Sequence, residues 1–205
     1  MDENPLFQKV IDAACLGDAQ AVQDILRQGF DINEADKVGN TVLMWTALNS
    51  AQGIRLLIAH NPDLNHQNED GWSALMWTAS HAKIEAAKVL IDHGADINAK
   101  RGDGYSVLMV AVERRSMDII SLLLEKGVDI DARNDNDVSA ADIAERIGDT
   151  ALVQMLNGAK ENIRRRAEEA ALQEENAKRM EIEKKVNRLK ENRVKAKVRL
   201  KPAGP

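Results

Sequence analysis

Residues 71–101, which read GWSALMWTASHAKIEAAKVLIDHGADINAKR, contain the two short patterns that decide the fold. The first pattern is Gly-x-Thr/Ser-x-Leu-Met, and its hydroxyl residues in the chain are Thr41, Ser73, Ser106 and, in a weaker copy, Ser139. Copies of the second pattern, of which Gly-Ala-Asp-Ile-Asn is one, lie at residues 29–33, 61–65, 94–98 and 127–131. Both patterns recur at spacings of 32, 33 and 33 residues, which indicates an internal repeat.

Each repeat unit is predicted to contain two short helices and a tight turn. The hydroxyl residues are of the N-cap type, and the apolar residues behind them recur at helical spacing. Gly29, Gly94 and Gly127 are expected to end second helices in a left-handed conformation. Unit two is one residue short, which predicts a deletion in its interhelix turn near residues 49–53, and unit five has Asp137 where the turn glycine is expected. The unit boundaries are about 4–36, 37–68, 69–101, 102–134 and 135–158.

This unit resembles the ankyrin repeat, and the resemblance covers about 155 of the 205 residues. It implies a mainly α-helical solenoid of about five helix-turn-helix units with short hairpin turns, followed by a charged C-terminal helix. Two departures from the family pattern are visible. The proline after the capping hydroxyl is replaced by Val42, Ala74, Val107 and Ala140. The histidine that ties adjacent repeats in the family is replaced by Met44, Met76 and Met109.

Charge divides the chain into two regions. Residues 1–159 contain 13 Lys and Arg against 25 Asp and Glu, a net charge of −12, whereas residues 160–201 contain 15 against 8, a net charge of +7. Residues 159–193 are rich in good helix formers, which predicts a charged helix that is either solvated or part of a coiled coil. For residues 194–205 we expect a basic tail that is extended or disordered, with helical continuation as the alternative.

Several function classes are not supported by the sequence. Cys15 is the one cysteine, so an internal disulfide or a cysteine-based zinc site cannot form. No apolar run is long enough for a transmembrane segment, and the acidic start lacks the features of a signal peptide, so we expect a cytoplasmic protein. The four histidines form no metalloprotease motif, and the acidic cluster at residues 129–137 lacks EF-hand spacing. We therefore predict no catalytic residue, metal or cofactor and no enzymatic activity.

The aromatic residues indicate a surface that binds another protein. All three Trp and the one Tyr occupy two repeat positions, the residue before the capping hydroxyl and the residue after the methionine. The resemblance implies that partners contact the turn tips and the first helices. The predicted partner-binding residues are Trp72, Tyr105, Asn40, Trp45, Trp77, Lys100, Arg101 and Asp103. For Trp45 and Trp77 a role in the core is an open alternative, and the first hypothesis is a non-enzymatic adaptor or scaffold.

The basic tail supports a second hypothesis, association with nucleic acid or an anionic surface. Residues 184–201 contain nine basic residues and one acidic residue, although the acidic repeat region opposes such binding. The residues predicted for this role are Lys184, Lys185, Arg188, Arg193, Lys195, Lys197 and Arg199. Two further alternatives are that this tail folds back on the repeat region, and that the charged helix mediates self-association.

Overall fold

The computed structural model describes the backbone of residues 4–199 and the side chains of residues 4–185, and it confirms the mainly α-helical repeat architecture. Helices follow one another in pairs, one pair in each unit. Their bounds are α1 Pro5–Leu16, α2 Ala19–Arg27, α3 Val42–Asn49, α4 Ala51–Ile58, α5 Ala74–Ser80, α6 Ile84–Asp92, α7 Val107–Glu113, α8 Met117–Glu125, α9 Ala140–Arg146 and α10 Thr150–Arg199. Isolated antiparallel bridges close the hairpins between pairs, at Ala35–Thr41, Gln67–Ser73, Lys100–Ser106 and Arg133–Ser139.

The first pattern of the sequence caps the first helix of each unit. The hydroxyls of Ser73 and Ser106 accept hydrogen bonds from the backbone N–H three residues later, at 3.3 Å in both cases, and Thr41 and Ser139 do the same. The Met109 sulfur accepts in return from the Ser106 N–H at 3.5 Å, and the Met44 sulfur accepts from the Thr41 N–H at the same distance. Met44 and Met109, two of the three methionines that replace the family histidine, therefore complete a capping box.

The second pattern joins neighbouring units. Each aspartate of Asp-x-Asn accepts from the N–H two residues later, which fixes the turn. Each asparagine side chain then accepts from the backbone N–H of the next unit, at 2.8 Å in every case. These bonds run to Asn33 from Asp63, to Asn65 from Asp96 and to Asn98 from Asp129. Since one such hydrogen bond contributes roughly 1 kcal/mol, the series stabilises the stacking of units.

The core is a continuous row of small and apolar side chains between first and second helices. Leu43, Leu75 and Leu108 are almost fully buried, and Ala14, Ala47, Ala79 and Val112 lie buried one turn or more beyond the caps of successive first helices. Small side chains at this position allow neighbouring first helices to pack closely.

The one-residue deletion in unit two lies between α3 and α4, within the predicted stretch. The other units have a residue with positive φ between their helices: Gly17 at 76°, Ala82 at 53°, Arg115 at 55° and Gly148 at 73°. Unit two lacks this residue, and Ser50 both ends α3 and caps α4 by accepting from the Gly53 N–H at 2.9 Å. Asp137 adopts a φ of 59° and replaces the hairpin glycine, as the sequence predicts.

The chain divides into two compact units between Asn157 and Gly158, and helix α10 contributes residues to both. Its first turns bury Leu152 and Leu156 in the repeat body, residues 4–157. From residue 160 to residue 185 every side chain is exposed. The helix continues to Arg199, so residues 194–199 are helical and not extended, which corrects our expectation for them; residues 200–205 lie outside the described residues. Within the described part of the chain, no helix is long and apolar enough to cross a membrane.

Candidate partner-binding site

The hairpins cross the boundaries between units, and each hairpin tip takes the number of the unit whose first helix follows it. The tip of unit four, residues 100–106, is built differently from the other tips. In the tips of units two, three and five an Asp or Asn side chain caps its own hairpin, and Asn68, for example, accepts from the N–H groups of Asp70 at 3.1 Å and Trp72 at 2.9 Å. The same role belongs to Asp36 and Asn134. The tip of unit four has Arg101 at this position, and Asp103 caps the turn instead by accepting from the Tyr105 N–H at 3.1 Å.

The Arg101 guanidinium lies between two aromatic rings. Its Cζ is 5.0 Å from the ring centroid of Trp72 and 4.7 Å from that of Tyr105. Its Nη2 donates to Asp103 Oδ2 at 2.7 Å, and the arginine side chain is only 21% exposed. The structure thus brings together four of the residues predicted from the sequence, and we call Trp72, Arg101, Asp103 and Tyr105 the tip cluster. Cation–π contacts and a charge-assisted hydrogen bond fix the arginine in one orientation.

Tyr105 is predicted to contact a partner, but only 9% of this residue is exposed, which argues against a large direct contact. Its hydroxyl is buried and has no hydrogen-bond partner among the described residues. Burial raises the pKa of the Tyr105 phenol, and the negative charge of Glu113 raises it further. The Tyr105 ring therefore packs against the Arg101 guanidinium and offers little surface of its own to a partner.

Asn40 is also buried, with 4% of its surface exposed, so the prediction that it contacts a partner is corrected. Its Nδ2 donates to Asp36 Oδ2 at 3.2 Å, and its Oδ1 accepts from Asn68 Nδ2 at 2.7 Å. Asn40 and Trp72 occupy equivalent positions, and each meets the tip residue of the next unit, Asn68 or Arg101. A residue before the cap thus faces the following hairpin.

Trp45 and Trp77 form a second aromatic group on the first helices. Their ring centroids are 5.3 Å apart with an interplanar angle of 88°, an edge-to-face contact. Both are half-buried and pack against the core, so each combines a core role with an exposed surface. The Trp45 Nε1 donates to Asp36 Oδ2 at 2.9 Å, whereas the Trp77 N–H has no acceptor within residues 4–185.

Asp36 was not predicted from the sequence, although its carboxylate accepts hydrogen bonds from Val38, Asn40 and Trp45. Partial burial by itself raises the pKa of Asp36, but hydrogen bonds from the Asn40 N–H, the Trp45 indole and the Val38 N–H outweigh burial, so the pKa lies below its ordinary value. An alignment of the four hairpins would have shown the signal, since Asp36, Asn68 and Asn134 share the position that Arg101 occupies in the tip of unit four.

Lys100 is exposed and connects three hairpins. Its carbonyl accepts from Gln67 Nε2 at 2.8 Å, and its Nζ donates to the Arg133 carbonyl at 3.3 Å. Residues 67–72 and 101–103 line an open cleft of about 690 Å³ between the tips of units three and four. Trp72, Arg101 and Asp103 of the tip cluster line this cleft, so the predicted residues border a concave surface.

Of the predicted basic tail, the structure describes the side chains of Lys184 and Lys185, and both are exposed. The Lys185 Nζ lies 2.8 Å from Glu181 Oε1, in an ion pair within the helix. The other predicted tail residues lie outside the described side chains. Among the side chains that the structure describes, no group of three or more His, Cys, Asp or Glu residues could hold a metal ion.

Comparison with known families agrees with this architecture. Residues 10–101 match a family model described as ankyrin repeats in three copies, and residues 90–144 match one described as ankyrin repeats in many copies. Together the matches cover residues 10–144 and include every residue of the tip cluster. Comparison with curated proteins gives no match.

Proposed function

The chain belongs to the ankyrin repeat family, and we propose that it is a non-enzymatic adaptor that binds a partner protein through its hairpin tips and inner helices. Ankyrin repeats generally mediate protein–protein interactions, and proteins of this family are typically binding modules without enzymatic activity. The arrangement of this chain's own residues supports one surface for that binding.

The tip cluster is the observation that carries the proposal. Trp and Arg are the residue types that most often contribute large shares of the binding energy at protein interfaces. Here Arg101 is already held by two rings and a carboxylate, so little side-chain entropy is lost when a partner binds. Trp72 is half-buried and keeps part of its indole surface available to that partner.

The Trp45–Trp77 pair extends the proposed surface onto the inner helices. The Trp45 N–H is satisfied by Asp36, but Asn68 occupies the equivalent position in the tip of unit three and its Oδ1 is already used by its own hairpin. The Trp77 N–H is therefore available to an acceptor on the partner, such as a backbone carbonyl. This supports a partner that spans both the tips and the inner helices.

Affinity capture with the full chain tests the proposal. The captured protein is identified, and its Kd is then measured for the wild type and for Trp72→Ala. We expect Trp72→Ala to weaken binding at least about tenfold, as loss of an interface anchor does. Met117→Ala is the matched control, because Met117 is an apolar residue of α8 that is 43% exposed and lies on a second helix, outside the proposed surface. Equal Kd values for the wild type and Trp72→Ala, with both folded by thermal unfolding, would reject the proposed surface.

Association of the basic tail with nucleic acid or an anionic surface remains the second candidate, supported by the nine basic residues in 184–201. A salt titration of filter binding distinguishes it, because neutralised phosphates give a steep loss of affinity with salt. Deletion of residues 184–201 must abolish that binding, and Trp72→Ala must leave it unchanged.

A further inference from the structure

The cleft between the tips of units three and four has walls of different character. One wall is the hairpin of residues 67–72, which contributes the half-buried indole of Trp72. The other is residues 101–103, where Gly102 has no side chain and a Cβ built on it would meet no atom within 4 Å. The cleft is thus open to an extended chain, with an aromatic surface on one side and exposed backbone on the other.

The charged side chains that line this cleft carry more negative than positive charge. The charge of Arg101 is neutralised within the tip cluster by Asp103, whose two carboxylate oxygens accept from Nη2 at 2.7 Å and from Nε at 3.3 Å. Glu69 and Asp70, by contrast, are exposed and form no ion pair within the part of the chain that the structure describes. Two carboxylates therefore face the cleft without a compensating cation.

We infer that this cleft binds an extended segment of a partner protein that is rich in Lys and Arg. This rests on the proposed function and specifies the chemistry of the partner. A guanidinium or ammonium group gains Coulomb attraction from Glu69 and Asp70 and a cation–π contact from Trp72. Its aliphatic stem packs on the same indole.

The net charge of −12 on residues 1–159 works in the same direction, since it attracts basic segments over a distance and repels phosphate groups. Nucleic acid is consequently not a ligand of this cleft. The specific part of the interaction belongs to the cleft, because the half-buried indole of Trp72 and the carboxylates of Glu69 and Asp70 lie together there.

The test uses the full chain and a fluorescein-labelled (Gly-Arg)5 peptide, with (Gly-Glu)5 and (Gly-Ser)5 as control peptides. We expect the wild type to bind (Gly-Arg)5 and neither control. The double substitution Glu69→Gln/Asp70→Asn is expected to weaken binding at least about tenfold, because it removes both uncompensated charges, and Trp72→Ala should weaken it as well. The matched control is Asp118→Asn/Glu125→Gln, which removes the same charge from two exposed residues of α8 and is expected to change the Kd less than about twofold.

Equal losses in the two double variants would overturn the inference, because they would mean diffuse attraction to an acidic protein. Failure of (Gly-Arg)5 to bind, while capture of the protein partner still depends on Trp72, would also overturn it and would leave the proposed function intact. Loss of Trp72-dependent capture, with specific peptide binding retained, would instead count against the adaptor proposal.

Discussion

The repeat body and residues 158–185 of α10 are both helical, but they are stabilised in different ways. In the body, helices of seven to twelve residues bury their apolar faces against neighbouring units. In α10 every side chain of residues 160–185 is exposed, and oppositely charged residues pair three or four positions apart along the helix. These pairs are Glu161–Arg164, Arg164–Glu168, Arg165–Glu169, Glu174–Lys178, Glu175–Arg179 and Glu181–Lys185.

The difference shows that an α-helix can be stabilised either by residues far away in the sequence or by residues within one turn. The helices of the body are too short to be stable alone and depend on residues about 33 positions away. The exposed stretch of α10 depends on residues within one turn. Two of its larger apolar side chains do not share a face, because Ile163 and Leu172 are nine residues, or about 900° of rotation, apart and point to opposite sides. The coiled coil considered from the sequence stays a prediction.

The largest expected difference in stability is between two Leu→Ala substitutions, one in each region. Leu75→Ala removes a side chain that is 1% exposed and should cost about 2–5 kcal/mol of unfolding free energy, because a cavity remains in the core. Leu172→Ala removes one that is 58% exposed and should change stability by less than about 0.5 kcal/mol. Urea denaturation measures both. Similar losses would mean that α10 is packed against something.

Two Gly→Ala substitutions, one in each region, are expected to change stability in opposite directions. Gly104 has a φ of 76°, and a Cβ there would lie 2.9 Å from Asn134 Cα, so Gly104→Ala should destabilise the body by about 1–3 kcal/mol. Gly158 lies within α10 with no atom within 4 Å of a built Cβ, so Gly158→Ala should stabilise the helix by up to about 1 kcal/mol. Thermal unfolding monitored by circular dichroism measures both. A stabilising Gly104→Ala would contradict the close approach of the hairpins.

A smaller effect concerns pH and is confined to the body. Because the pKa of Asp36 is lowered on folding, its stabilising contribution is present above the unfolded pKa of about 3.9 and is lost as the pH falls through the folded pKa. The Asp36→Asn variant should be less stable than the wild type near neutral pH, and the difference should shrink in acid. Denaturation followed by Trp fluorescence at several pH values measures this. A difference that is independent of pH would refute the role of the charged carboxylate.

The smallest effect is expected in α10 and depends on salt. Glu174→Gln with Glu181→Gln removes two ion pairs of 2.6 and 2.8 Å and should cost roughly 0.3–0.5 kcal/mol for each pair at low ionic strength. Helicity from far-ultraviolet circular dichroism should fall at low salt and differ little from the wild type at about 1 M salt. Unfolding of the body should remain unchanged. A loss of helicity that persists at high salt would mean that the ion pairs do not support this helix.

The features that could be predicted from the sequence depend on residues that are close together in the sequence. The capping hydroxyls, the left-handed glycines, the deletion near Ser50 and the backbone of Asp137 all follow from residue types within a few positions. Such features repeat, and repetition makes them visible in a single sequence. The charged helix was also predicted, but its end was not, because the alternating pattern from Val194 suggested an extended chain while Ala, Lys and Arg favour continuation of the helix.

The errors at the site arose from contacts of the hairpin side chains. Asn68 of the next hairpin binds Asn40, and Arg101 of the same hairpin lies over the ring of Tyr105. The burial of Asn40 and Tyr105 therefore depends on which side chains occupy the positions of Asn68 and Arg101. Comparison of the hairpins with one another, and not of each with a common pattern, would have shown Arg101 as the exception.

The contacts of Arg101 have a consequence for how such a protein can change over time. Trp72 and Arg101 lie in unit three, whereas Asp103 and Tyr105 lie in unit four, so the tip cluster is encoded by neither repeat alone. Duplication or loss of a whole repeat preserves the solenoid, but an insertion between units three and four would separate Arg101 from Asp103 and Tyr105. Transplanting this recognition surface into another solenoid would accordingly require the transfer of two adjacent repeats as one block.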